Sequence, residues 1–251
     1  MLAFTADGRV ALLRWEFAAQ QPGTLERFLP DSLEGETVVE LLPLPEEQNR
    51  TGLSLGLLSS DGRFKRLAVE EFLELSGRAA SVLKLKDGVR LCGVVPCREG
   101  EDLVVASSAG RLLRLKVNEA NLPLMGRHAQ GPMLMRLLPG ESVVGAACGP
   151  AEPGSVLLAS STGQIRRVRV RDLRCCLRGD LGQIGLRFTQ NGDRLVALCG
   201  GSSDLVAARV GETRSLRLDL SQWSEQPDDQ SGTQLRLGAG ERIQQLVPLL
   251  R

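Results

Sequence analysis

The sequence predicts an all-β protein built from about five small four-stranded sheets, or blades, arranged radially. Two observations support this prediction. A hairpin pattern returns about every fifty residues along the whole chain of 251 residues, and a second strand pattern follows each hairpin half a repeat later. Short strands that recur at a fixed period are typical of radial repeat folds.

The first pattern is an apolar strand, a turn of small residues and a strand that carries basic side chains. It occurs in LAFTADGRVALLRW (2–15), LGLLSSDGRFKRLAV (55–69), LVVASSAGRLLRLKV (103–117), VLLASSTGQIRRVRV (156–170) and LVAARVGETRSLRL (205–218). Each stretch is expected to form a β-hairpin, because glycine relaxes the φ restriction at its turn. The turn glycines are Gly8, Gly62, Gly110, Gly163 and Gly211.

The second pattern is a glycine-containing turn followed by an apolar strand. It occurs in EGETVVELLPL (34–44), KDGVRLCGVV (86–95), PGESVVGAAC (139–148), NGDRLVALC (191–199) and AGERIQQLVPL (239–249). Together the two patterns predict one domain, 1–251, whose repeat units cover about 1–52, 53–101, 102–153, 154–202 and 203–251.

Positive charge is concentrated in the middle of the chain, although the net charge is only +1. Residues 163–187 hold seven arginines against Asp172 and Asp180, a local charge of +5. The stretches 110–136 and 62–86 carry +4 and +3, whereas 8–34 and 211–236 carry −1 and −2. The sequence therefore predicts a basic arc over the three middle blades.

Twelve basic residues are the candidate contacts of this arc. Side chains alternate along a strand, so Arg167, Arg169 and Arg171 are expected to share an outward face opposite Val168 and Val170. Related positions on neighbouring blades, and the Gly–Arg or Arg–Gly pairs between hairpins, extend the set. The full set is Arg63, Lys65, Arg66, Arg78, Arg111, Arg114, Arg127, Arg166, Arg167, Arg169, Arg171 and Arg178.

A curved cationic edge with few aromatic residues suits the phosphate backbone of duplex DNA. No recognition helix is evident, so binding is expected to be largely independent of sequence. A structural alternative stays open, because exposed edge strands also carry Arg and Lys merely to prevent aggregation.

No catalytic, metal or cofactor site is predicted. The chain has no tyrosine, a single histidine and six cysteines without C-x-x-C spacing, so neither a tyrosine nucleophile nor a zinc site is expected. GLSLG (52–56) and SVLK (81–84) resemble hydrolase motifs, but both lie in stretches predicted to be strands. No phosphate-binding G-x-x-x-x-G-K-[ST] loop occurs.

The repeats resemble the C-terminal domain of the A subunits of DNA gyrase and topoisomerase IV. The resemblance rests on the hairpin pattern followed by GRHAQGPMLMRL (126–137) and PGESVVG (139–145), and it covers the whole chain. It implies a β-pinwheel, a propeller whose blades exchange strands with their neighbours. Gyrase domains usually have six blades and a box of Gln, two Arg, two Gly, Lys and Gly. That box is missing here, and QQPGTLER (20–27) has the nearest composition.

The resemblance implies a non-catalytic domain that binds duplex DNA, bends it around a basic rim and presents it to the breakage-and-rejoining domain of a bacterial type II topoisomerase. Without the box, weaker wrapping is expected. The alternative is a protein-interaction propeller of the kelch or chromatin-regulator kind. Whether the chain is a fragment or a whole subunit, and whether its ring is closed, stay open. The N-terminus shows no secretory signal and no apolar run approaches ~18 residues, so we expect a cytoplasmic, nucleoid-associated protein without a membrane partner.

Overall fold

The computed structural model describes residues 1–13, 28–73, 75, 78–200, 205–220 and 230–248. These residues form eighteen strands and four short 3-10 helices. The strands are β1 (Leu2–Thr5), β2 (Arg9–Leu12), β3 (Val38–Leu42), β4 (Leu53–Ser59), β5 (Phe64–Ala68), β6 (Ala80–Ser81), β7 (Leu91–Arg98), β8 (Asp102–Ser107), β9 (Arg111–Lys116), β10 (Val143–Gly149), β11 (Ser155–Ser160), β12 (Gln164–Arg169), β13 (Gln183–Ile184), β14 (Leu195–Gly200), β15 (Leu205–Val210), β16 (Arg214–Asp219), β17 (Thr233–Gln234) and β18 (Ile243–Pro248). The 3-10 helices are Asp31–Leu33, Glu47–Asn49, Val69–Phe72 and Val170–Asp172.

The chain divides into two compact units. The first contains Met1–Glu99 and Asn118–Met133, and the second contains Gly100–Val117 and Leu134–Arg251. The sheets β3-β1-β2-β6 and β5-β4-β7 lie in the first unit. The sheets β10-β8-β9-β13, β14-β11-β12-β17 and β16-β15-β18 lie in the second. The predicted all-β class and the number of about five blades are confirmed.

All five predicted hairpins form. Their turn glycines have φ values between 57° and 99°, a left-handed backbone that side chains disfavour. The second pattern gives the strands β3, β7, β10, β14 and β18, each paired with the first strand of its own hairpin. The local sequence patterns therefore determine three strands of every sheet.

The fourth strand comes from the following repeat. β6 pairs with β2, β13 with β9, and β17 with β12, each in antiparallel register. On β5 the same place is taken by a single bridge between Arg63 and Met133. Among the described residues nothing pairs with the corresponding edge of β16. The expectation of four strands in every blade therefore holds for three sheets, while two sheets have three strands.

The exchanged strand lies on the edge away from the contact between sheets. Neighbouring sheets meet through β3 and β7 in the first unit, and through β10, β14 and β18 in the second. The apolar cores lie between these sheets, around Leu2, Phe4, Leu57 and Phe72 in the first unit. Because β6, β13 and β17 occupy the opposite edge of their sheets, they form the outer edge of each complete blade.

Glycine makes the strand exchange sterically possible. Gly182 has a φ of 76°, and a Cβ there would overlap the carbonyl oxygen of Leu112 on β9. Gly131 has a φ of 80° and approaches the carbonyl oxygen of Phe64 on β5 in the same way. We call the stretch between the hairpin of a repeat and its second pattern the linking segment. The linking segments that contain Gly131 and Gly182 therefore depend on a close backbone approach that only glycine permits.

We expect Gly182→Ala to lower the free energy of unfolding by about 3 kcal/mol or more. The substitution combines left-handed backbone strain of about 1–2 kcal/mol with displacement of β13 from β9. Gly140→Ala is the matched control, because Gly140 has a φ of 82° but open space where a Cβ would lie. Urea unfolding of both variants measures the difference. Equal losses of unfolding free energy in the two variants would show that displacing β13 from β9 costs nothing.

Candidate nucleic-acid interface

Four of the predicted contact residues are buried. Lys65, Arg66, Arg111 and Arg166 expose only 0%, 3%, 6% and 5% of their surface. The expectation that these side chains share an exposed outer face is wrong. Both faces of these strands are covered, because even the consecutive residues Lys65 and Arg66 are buried, and the cationic groups bond backbone carbonyls and carboxylates of other segments.

In the first unit, Arg63 and the two cations of β5 bond backbone carbonyls of the linking segments or nearby carboxylates. Arg63 Nη1 donates to Gly131 O at 3.0 Å. Lys65 Nζ donates to Val82 O and Arg127 O, both at 2.6 Å, and so joins two linking segments. Arg66 forms ion pairs with two carboxylates, Glu99 at 2.8 Å and Glu119 at 2.7 Å.

The corresponding cations of β9 do the same in the second unit. Arg111 is bonded to both carboxylate oxygens of Glu141 and to the carbonyl of Leu181. Arg114 Nε lies 2.7 Å from Asp102 Oδ1, and its Nη1 donates to Leu173 O at 2.8 Å. The side chain of Asp102 is completely buried and also accepts from Lys116 at 2.5 Å.

On β12 and the 3-10 helix that follows it, the cations divide between structural and solvent positions. Arg166 donates to the carbonyl oxygen of Gly185, directly after β13. Arg167 donates to Ser155 Oγ at 3.0 Å and Leu220 O at 3.2 Å. Arg169 and Arg171 lie at the surface, where Arg169 pairs with Asp172 at 2.6 Å and Arg171 pairs with Glu152.

A repeated acid–base pair holds one arginine in each of three hairpins. Acidic residues follow the turn glycine of the second pattern at Glu36, Glu141, Asp193 and Glu241. Glu36, Glu141 and Glu241 pair with Arg9, Arg111 and Arg214 from the hairpin of the same repeat. Asp193 instead accepts hydrogen bonds from Ser161 and Thr162, because Gln164 replaces the arginine. The acidic residue after the turn glycine was therefore the sequence signal that the arginine paired with it has a structural role.

Lys65 makes stability depend on pH. Burial lowers the pKa of Lys65 to about 8, against the opposing effect of the Glu71 carboxylate. The unfolded chain keeps the ordinary lysine pKa of about 10.4, so it binds more protons than the native protein between these values. The contribution of Lys65 should therefore make the protein more stable as the pH rises from about 8 toward 10.4.

We expect this gain to be absent in Lys65→Met, which keeps the length and apolar stem of the side chain. The measurement is the urea midpoint of the protein and the variant at several pH values between 7 and 9. The difference between the two curves isolates Lys65 from other titrating groups. Parallel curves would show that the native ammonium titrates like that of the unfolded chain.

Other predicted contact residues do reach solvent. Arg78 and Arg178 are exposed and make no hydrogen bond or ion pair with any described residue. Arg127 is half-buried and its Nε lies 2.8 Å from Glu71 Oε2. We call the predicted contact residues on or directly beside β5, β9 and β12 the hairpin cations. The structure buries or half-buries most of them in the blades and leaves Arg78 and Arg178 of the linking segments exposed.

A second set of exposed cations was missed by the sequence reasoning. One basic residue follows each outer-edge strand or bridge by two or three positions, and every one of them is exposed. We call this set the exchanged-strand cations. They are Lys84 in the first unit and Arg136, Arg187 and Arg236 in the second. Arg187 is steadied by a 2.8 Å bond from its Nε to Gln230 Oε1. The signal was the short apolar–basic–apolar run, as in SVLKL and IGLRF.

The GLSLG motif lies on a strand, as predicted, whereas only the first residue of SVLK does, so the prediction of a strand over 81–84 is wrong beyond Ser81. Ser54 lies in β4, is 4% exposed and donates to Cys97 O at 3.0 Å. Ser81 ends β6. The box-like stretch 20–27 lies outside the described residues. Within the described ranges, no helix is long and apolar enough to cross a membrane.

Comparison with known proteins agrees with this architecture. The family described as DNA gyrase C-terminal domain, beta-propeller, matches residues 57–98, 101–149 and 154–198, more than half of the chain. The solved C-terminal domain of DNA gyrase A has 18% identity and a TM-score of 0.80, covering 98% of this chain and 80% of that one. The solved C-terminal domain of DNA topoisomerase IV has 14% identity and a TM-score of 0.81, covering 98% and 77%.

A similar relative is the A subunit of DNA topoisomerase 4 from Synechocystis sp., 36% identical over 167 residues, which cover 62% of this chain and 18% of the relative. The chain therefore spans under a fifth of the length of that curated relative. The solved structures confirm the propeller-like fold, with its strand exchange visible in the pairings described above. The family match over three successive repeats establishes that the chain belongs to the DNA gyrase C-terminal domain family.

Proposed function

We propose that this chain binds duplex DNA along the outer edges of its blades, with little sequence preference, and bends it. The observation that carries the proposal is the exposed cation beside each outer-edge strand. Because β6, β13 and β17 end their sheets, Lys84, Arg187 and Arg236 lie at the edges that a large ligand reaches first. Guanidinium and ammonium groups at such edges attract a phosphate backbone.

The predicted site residues have different roles in this proposal. Lys65, Arg66, Arg111 and Arg166 hold the blades together, and Arg63, Arg114 and Arg167 largely share that role. Arg78 and Arg178 contact phosphates together with the exchanged-strand cations. Arg127, Arg169 and Arg171 contribute less, because a phosphate must compete with their carboxylate partners. The described residues contain strands and 3-10 helices but no α-helix, which supports binding without base readout.

The biological role follows from the relatives, which are A subunits of type II topoisomerases. We propose that the domain presents bent DNA to the breakage-and-rejoining domain of such an enzyme in the bacterial cytoplasm. It has no catalytic part of its own. Bending 20–30 bp through 40–90° costs on the order of 1–6 kcal/mol, which several phosphate contacts can offset. Because the sequence lacks the gyrase box, we expect weaker wrapping than in gyrase and a reduced ability to introduce negative supercoils.

The first experiment is titration of 30–40 bp duplexes of unrelated sequence between 50 and 200 mM salt. A protein that makes 6–10 phosphate contacts loses roughly 10³–10⁵ in affinity over this range. We expect such a steep loss with every sequence. A flat salt dependence would exclude the proposal. A topology assay on the parent enzyme with and without the domain tests the topoisomerase role separately.

One observation favours the alternative of a protein-interaction propeller. The second unit contains a cavity of about 310 Å³ lined mainly by small apolar residues, with Glu101 and Cys148 at its wall. Charge reversal at Arg136 and Arg187 distinguishes the two functions, because duplex binding should collapse while a partner at the cavity would be retained. Arg167 is unsuitable for this test because it bonds Leu220 O.

A further inference from the structure

The most exposed large apolar side chain among the described residues lies in a turn that carries two arginines. Leu177 is 74% exposed, whereas the next, Leu124, is 50% exposed. Leu177 belongs to residues 174–180, RCCLRGD, which we call the 174–180 turn. An isolated exposed leucine needs no explanation. Two features set Leu177 apart, namely the backbone geometry of its turn and the arginine beside it.

The 174–180 turn is held rigidly by backbone hydrogen bonds to other segments. Cys176 N donates to Arg114 O at 2.7 Å, and Gly179 N donates to Leu134 O, also at 2.7 Å. Within the turn, Asp180 N donates to Leu177 O at 3.3 Å. Cys176 itself is 4% exposed and anchors the turn in the protein interior. Leu177 is thus presented at a fixed tip, so little ordering entropy is lost when a ligand covers it.

The turn also differs from its counterpart one repeat earlier. Met125 N donates to Arg66 O at 2.9 Å, as Cys176 N donates to Arg114 O, so Gly126 and Arg127 correspond to Leu177 and Arg178. At the earlier position the tip has no side chain, and the arginine is engaged by Glu71. At the later position the tip is a leucine, and Arg178 makes no bond to a described residue. An apolar tip and an available cation therefore occur together only in the later of these two turns.

We propose that Leu177 is a wedge that enters the minor groove of bound duplex DNA and partly unstacks one base step, while Arg178 contacts the adjacent phosphate. This inference rests on the proposed DNA-binding function. Apolar side chains held at rigid basic tips are used in this way by proteins that kink DNA, at a cost of a few kcal/mol per unstacked step. The occupant is duplex DNA because Arg178 beside the tip is an exposed cation, and because the exchanged-strand cation Arg136 adjoins the turn, its N–H donating to Asp180 O at 3.0 Å. The wedge would localise bending at this turn.

The test uses the full chain and a 30-bp duplex with 2-aminopurine at a single central TA step, since such steps kink easily. Binding of the unaltered protein should raise the 2-aminopurine fluorescence, because the probe unstacks. Leu177→Ala should abolish this rise and weaken binding about tenfold, the scale expected for losing one buried leucine contact. Its salt slope should not change, because no charge is removed. Leu177→Met should retain the fluorescence rise.

Leu138→Ala is the matched control, because Leu138 is 46% exposed and lies outside the turn. It should leave both the fluorescence rise and the affinity unchanged. Because Leu177 is exposed, Leu177→Ala should keep the thermal midpoint of the unaltered protein. Equal midpoints would exclude unfolding as the cause of weaker binding. If Leu177→Ala binds and raises the fluorescence like the unaltered protein, the wedge is overturned while salt-dependent binding stands. If the unaltered protein shows no salt-dependent duplex binding, the proposed function and the wedge both fail.

Discussion

Replacing Arg111 with alanine should lower the free energy of unfolding by about 3–5 kcal/mol, the usual cost of removing one partner from a buried ion pair. The side chains of Arg111 and Glu141 are each 8% exposed, and Arg111 Nε lies 2.8 Å from Glu141 Oε1. The substitution leaves the carboxylate buried without its cation and also frees the carbonyl of Leu181 on the segment that leads to β13. Loss of this outer-edge strand would expose the edge of β9.

The titration of Glu141 is consistent with this pair. Burial alone would raise the pKa of the Glu141 carboxyl, but hydrogen bonds from Arg111 and from the N–H of Leu138 lower it below its ordinary value. The native state therefore favours the ionised carboxylate, and Arg111→Ala should remove that preference.

Arg171→Ala is the control for this prediction. Arg171 pairs with Glu152, but the two side chains are 47% and 67% exposed. An ion pair of this kind contributes at most about 1 kcal/mol. Urea unfolding of both variants measures the difference. Similar losses of unfolding free energy for Arg111→Ala and Arg171→Ala would mean that Arg111 does not stabilise its blade.

Neutralising all four exchanged-strand cations should weaken duplex binding by about three orders of magnitude at 0.1 M salt, since each phosphate contact in B-DNA releases about 0.9 counterion. The variant carries Lys84→Gln, Arg136→Gln, Arg187→Gln and Arg236→Gln. It should keep the thermal midpoint of the unaltered protein, because these side chains are exposed and contribute little to packing.

A variant with the same change in charge is the control. Arg169, Arg171, Arg174 and Arg214 are surface cations paired with Asp172, Glu152, Asp180 and Glu241. Replacing these four with glutamine should weaken binding much less, because their carboxylate partners already neutralise them. Equal losses in the two variants would mean that only net charge matters and that position on the outer edge does not.

The sequence was sufficient for the parts of the fold that depend on neighbouring residues. Each hairpin needs only an apolar strand, a glycine such as Gly110 and a second strand, so all five could be located from local pattern. The exchange of strands entered only through the family resemblance. No local pattern indicates that Gln183 and Ile184 pair with Leu112 and Arg111, about seventy residues earlier in the chain.

This long-range exchange also explains why the candidate site was only partly predicted. Alternation places Arg166 on the same face as Val168 and Val170, but it could not show that Gly185 would lie there and accept its hydrogen bond. The exchanged-strand cations, such as Lys84, sit in short runs with too few residues to show a period. Many hairpin cations that the local pattern assigned to solvent are therefore structural. The exchanged-strand cations, which are exposed, lie on the segments that cover the hairpin cations.

The proposed function requires that the exchanged-strand cations, and not the hairpin cations, contact DNA phosphates. The most direct measurement is the slope of log affinity against log salt for one duplex, taken side by side for the unaltered protein and the variant lacking the four exchanged-strand cations. We predict that the slope falls in magnitude by about three to four units in that variant. Identical slopes in the two proteins would contradict it.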